Sequence, residues 1–167
     1  MDKQGVTKPA GRTGQTEGGA AEGVQDDAAV DCAAGYDAAT DEAAADEARL
    51  RYRRRGVEWL DPDERIGPVL EPGERLLAVR RSVAVCRDET LESVATPPVV
   101  VDLYVTSRRL VLAGPDLIFF ELAILDEAVV SHDRLLLALR DGNGLDLEVG
   151  QPRLLRVQIA AARSARR

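Results

Sequence analysis

A histidine catalyst in this chain would have to be His132, because there is no other histidine. One imidazole supplies neither a paired-histidine metal site nor a triad with an identifiable partner. Its plainer reading is a histidine at a strand edge. Cys32 and Cys86 stand far apart, a spacing that makes neither a zinc site nor a disulfide framework. Carboxylates cluster at Asp126-Glu127 and at Asp61, Asp63 and Glu64, where turn chemistry already favours acids. The run Asp141-Gly142-Asn143-Gly144-Leu145-Asp146 has the opening of a calcium loop but lacks the alternating ligands and the closing glutamate. A hairpin turn on Asn-Gly accounts for it. No phosphate-binding loop, nucleophile elbow or dinucleotide fingerprint occurs. The residues therefore argue for a non-catalytic protein with no cofactor and no metal.

What remains as chemistry is charge. Arg49, Arg51, Arg53, Arg54 and Arg55 form a basic run. Such a run offers contact to an anionic surface, such as membrane headgroups. Its alternative is a solvated helix end balanced by its own acids. Arg163, Arg166 and Arg167 form a smaller second cluster. The overall charge of −7 is uneven: residues 1–47 hold three basic and eleven acidic side chains, and the remainder holds nineteen and eighteen. The larger part is thus nearly neutral and lacks the positive field of a nucleic-acid binder, so no nucleic-acid partner is expected. The basic residues are almost all Arg, a bias that a GC-rich bacterial genome produces.

The elements that must position these residues divide the chain into four. Residues 1–39 are an acidic Ala/Gly-rich tail with almost no large apolar side chains. They cannot offset the roughly 1–2 kcal/mol per residue that backbone ordering costs, so disorder is expected. Residues 40–56 read as a short charged helix: Thr40 as cap, acids in the first turn, arginines in the last, and Gly56 as stop. Leu50 is its only strong apolar residue before Tyr52. Residues 57–73 are an ordered connector, too apolar for a free linker, with Trp59 or Ile66 docked and prolines that forbid a long helix. Residues 74–167 form the main domain. The N-terminal residues carry no apolar core of a secretory signal, and no stretch spans a bilayer, so a cytoplasmic location is expected.

Period-two alternation dominates that domain. In Val99–Thr106, Val99, Val101, Leu103 and Val105 share one face and Val100, Asp102, Tyr104 and Thr106 the other. Similar runs occur at 75–87, 110–112, 117–123, 128–132, 134–140 and 145–149. The spacing predicts seven antiparallel strands with no helix between them, curled into a small closed barrel or sandwich. The first is long enough to bend or bulge. Pro152 then opens a terminal helix, with Leu155, Ile159 and Ala162 as its apolar stripe, that caps the open end.

This order, with Leu70-Glu71-Pro72-Gly73-Glu74 before the first strand and Leu103-Tyr104-Val105-Thr106-Ser107-Arg108-Arg109-Leu110 across the next two, resembles the PH-like superfold in its GRAM and bacterial PH variants. The resemblance spans residues 68–165. It implies that Gly73, Glu74, Tyr104, Thr106 and Arg109 are a fold signature, structural first. It also implies a ligand-binding role without chemistry. Phosphoinositide-binding PH domains cradle the headgroup with Lys and Arg in the first inter-strand loop. Here that loop, residues 88–98, carries Asp88, Glu89 and Glu92, which opposes a phosphate. Two roles are therefore expected: a module that binds a protein or peptide partner, as by strand addition at a sheet edge, or a peripheral binder of an anionic membrane surface.

Overall fold

The computed structural model of the protein describes residues 36–88 and 97–165. The tail up to residue 35, loop residues 89–96, and Arg166 and Arg167 lie outside the described residues, and with them most of the tail expected to be disordered and most of the acidic loop; residues 36–39 of that tail instead lead into the first helix, and Asp88 ends the first strand.

The first helix, α1, spans Ala38–Arg55. Its cap is Asp37, whose carboxylate accepts from the amides of Ala39 and Thr40. Thr40 was expected as the cap; instead its hydroxyl donates to Asp37 at 2.5 Å, and the helix begins earlier. Asp37 also accepts more strongly than a threonine hydroxyl. Gly56, at φ 76°, ends the helix and donates its N–H to the Tyr52 carbonyl. The buried stripe is Asp41, Ala45 and Ala48, with Tyr52 partly buried in line. Leu50 is 50% exposed. The face that docks is therefore made of small residues, not of the one leucine.

Seven antiparallel strands follow: β1 (Leu76–Asp88), β2 (Val99–Thr106), β3 (Arg109–Ala113), β4 (Leu117–Glu121), β5 (Leu125–Ser131), β6 (Arg134–Leu139) and β7 (Gly144–Glu148). Their order in the sheet is β4-β3-β2-β1-β7-β6-β5. Every neighbouring pair but one is a chain-consecutive pair; β1 with β7 is the join between the two halves. The expected closure does not occur. β4 and β5 form no ladder and stand as the two edges. The short link between them explains this: Leu122 donates its amide to Arg108 beside β3, while the Ile124 carbonyl accepts from Arg140 beyond β6. Each end of the link is held by its own half, so the strands part instead of pairing.

β1 serves both halves because it bends. Its register on β2 shifts between Arg80 and Val83, and Ser82 there takes a left-handed φ of 54°. Val85 then pairs with Val99 on one side and Leu147 on the other. The bulge moves side chains between faces. Leu77, Ala78, Val83 and Val85 enter the main core, and Leu76 and Val79 go to the opposite face. The main core collects Leu103, Val105, Leu110, Leu135, Leu147 and their neighbours from both halves. Helix α2 (Pro152–Ser164) seals it with Leu155, Ile159 and Ala162.

The opposite face of β2 and β3 is covered too. Tyr104 and Val111 are buried there beneath Ile66 of the connector. Arg81 holds that connector down: it donates to Asp63 at 2.6 Å, Asp102 at 2.7 Å and the Tyr104 hydroxyl at 2.8 Å. Tyr104 also donates to Asp63. Burial raises the Tyr104 pKa above its ordinary value. The Ile66 amide, with Arg81 and Tyr104, lowers that of Asp63.

Pro152 starts α2 as expected, but Gln151 gives the helix no side-chain cap. The cap comes from α1. Asp41, 1% exposed, accepts from the amides of Arg153 at 2.8 Å and Leu154 at 3.0 Å. Those are the second and third helical positions, which an N-cap side chain serves. The two helices run side by side in the same direction, with Ala45 and Ala48 against Val157. Asp41→Ala is expected to lower stability by about 1–2 kcal/mol, read as a lower urea midpoint. An unchanged midpoint removes the cap from the account.

Candidate functional site

The signature residues form two networks, one buried around Glu74 and one part-exposed around Arg81. Gly73, at φ 77°, takes the left-handed position in the turn where the Glu74 amide bonds the Glu71 carbonyl. That turn delivers Glu74 inward, its side chain wholly buried. There Thr106 donates to Glu74 at 2.5 Å, and Arg109 donates through Nε at 3.1 Å and a terminal nitrogen at 3.0 Å. The Thr106 hydroxyl also accepts from the Arg108 and Arg109 amides across the β2–β3 turn. Arg109 packs over the Phe119 ring and donates to the Val69 carbonyl. Tyr104 belongs instead to the Arg81–Asp63 group. These residues clamp the connector, the β2–β3 turn and β1 together.

Desolvation pushes the Glu74 pKa up, but hydrogen bonds from Thr106, the Glu71 amide and Arg109 outweigh it, and the net shift is downward. A lowered folded pKa contributes stability above the unfolded carboxyl pKa of about 4.3, lost as pH falls through the lower folded value. Glu74→Gln leaves Arg109 without its buried partner. It should lower stability by roughly 3 kcal/mol at neutral pH and flatten the fall of the urea midpoint below about pH 5. A variant with the parent's pH profile contradicts the assignment.

The arginine run does not form one patch. The helical period divides it between two sides of α1. Arg49 and Arg53 line a groove of about 800 Å³ between α1 and α2. Arg51, Arg54 and Arg55 border a separate, smaller hollow with Glu47 and exposed Leu50. Arg49 is already occupied, bound to Glu42 at 3.1 Å and Asp46 at 2.5 Å. Two arginines that the sequence did not single out complete the groove: Arg75, ahead of β1, and Arg156, on α2. Arg75 stacks on Trp59, 4.3 Å above the ring centroid. Among the described residues, Arg53, Arg75 and Arg156 make no ion pair.

The groove is lined by apolar Tyr52, Val57, Trp59, Val157 and Ala161, and among the described residues no carboxylate lines it. Arg163 is not among its lining residues. His132 sits exposed in the β5–β6 turn, at φ 53°. Among the described residues no group of three or more His, Cys, Asp or Glu is placed to hold a metal ion. No helix there is long and apolar enough to cross a membrane. No protein-family model matches this chain. No curated protein matches it either.

Proposed function

We propose that this chain is a non-catalytic interaction module of the PH/GRAM-like kind, which binds a protein partner in the groove between α1 and α2. The likeness is supported by seven antiparallel strands followed by a helix and by the Glu74–Thr106–Arg109 network at the strand junction. One observation carries the binding role: an apolar lining beside Arg53, Arg75 and Arg156, which make no ion pair among the described residues. Guanidiniums beside apolar surface are what protein interfaces enrich. The reading places the protein in the cytoplasm, a reducing compartment that keeps Cys86 a thiol.

A second reading, peripheral binding to an anionic membrane, is supported by Leu50 exposed among Arg51, Arg54 and Arg55 on the other side of α1. Site-specific photo-crosslinking in the native cell separates the two. A probe at exposed Ala160 should yield a reproducible protein adduct that Arg156→Glu abolishes. Adducts with lipid from a probe at Leu50, with none with protein at Ala160, give the function to the membrane instead.

A further inference from the structure

We infer that the groove takes a short acidic amphipathic helix of about two turns, an inference that rests on its being a protein-docking surface. The guest's chemistry follows from what lines the groove. Three guanidiniums that make no ion pair among the described residues, Arg53, Arg75 and Arg156, line the groove, and no described carboxylate does. An acidic guest is thus attracted and a basic one repelled. The floor of Trp59, Val157 and Ala161 requires an apolar stripe on the same guest. Gly56, Ala160 and Ser164 on the walls are small and let a guest backbone approach closely.

The guest's conformation follows from the walls. The two long walls are the sides of α1 and α2, whose amides there are bonded within the helices, and among the described residues no strand of the sheet lines the groove. An extended peptide would find no sheet edge to pair with along those walls and would leave most of its amides and carbonyls unmatched. A helix satisfies its own backbone and offers only side chains, which is the helix-in-groove mode. The walls run from Arg49 to Gly56 on α1 and from Arg156 to Ala165 on α2. At 1.5 Å per residue that is about 10–14 Å, or some two helical turns.

Trp59 is the only tryptophan of the chain and so reports on the groove directly. The probe is a synthetic capped helix of Glu and Ala with a single Leu stripe, compared with the same peptide carrying Lys for Glu. Titration into the full-length protein should shift Trp59 emission with the Glu peptide only, and salt should weaken it. Arg53→Glu and Arg156→Glu should each weaken binding about tenfold, and the double variant should accept the Lys peptide. Neither arginine makes an ion pair among the described residues, and an unchanged urea midpoint shows that the variants fold. Equal binding of the two peptides overturns the acidic guest but leaves the docking surface standing. Binding of neither peptide, with the Ala160 adduct present, overturns the helical guest alone. Loss of both signals overturns the docking surface as well. Salt-sensitive binding of anionic vesicles that shifts Trp59, or self-association that Arg156→Glu abolishes, gives the groove to lipid or to a second copy.

Discussion

The structure depends on one carboxylate that caps a helix other than its own. Asp41 sits in the first turn of α1, yet its two oxygens accept from the first-turn amides of α2. An uncapped helix start leaves amides without partners, and leaving them buried is costly. Asp41 satisfies them and at once fixes the register of the two helices. Ala45 and Ala48 then meet Val157, and Tyr52 packs on the main core. The groove exists because these helices are held side by side, so the spacing of Arg53 and Arg156 is set from the far end of α1.

Arg80 lies in the same region and lacks a carboxylate partner. It donates to the Val79 carbonyl and to Gln158 of α2, and its Nε is buried without an acceptor. Burial lowers its pKa, while the nearby Tyr52 and Asp41 act in the opposite sense. A guanidinium stays charged through such a shift. Its bond to Gln158 joins β1 to α2 through a charged donor as well as by packing.

Much of the fold was legible because period-two alternation survives wherever one face is buried. All seven strands, the Asp141–Gly144 turn and the Pro152 helix start could be read that way. Closure could not. Whether β4 pairs with β5 turns on two backbone hydrogen bonds at Leu122 and Ile124, which no side-chain pattern encodes. The docking of α1 was hidden for a different reason: its inner stripe is alanine and aspartate, which a hydrophobicity reading scores as surface. Tyr104 and Thr106 were placed on the face opposite Val101, Leu103 and Val105, and so they are, but the connector covers that face. The division of the arginine run could have been drawn from helical spacing alone, since Arg49 and Arg53 are four apart. Arg75 and Arg156 could not have been joined to it, because only tertiary packing brings segments so distant into one groove.

The same packing sets a timetable for synthesis. Asp41 waits for an amide 112 positions later, and β1 waits for β7 before its second half has neighbours on both sides. Contacts between such distant segments form slowly, because a long loop must close first. A ribosome releasing this chain holds β1 to β6 with the inner faces of Val83, Val85 and Leu137 unsealed until α2 emerges. The nascent protein is thus vulnerable to aggregation until α2 has emerged, and that is the interval in which a chaperone that shields apolar strands has most to protect.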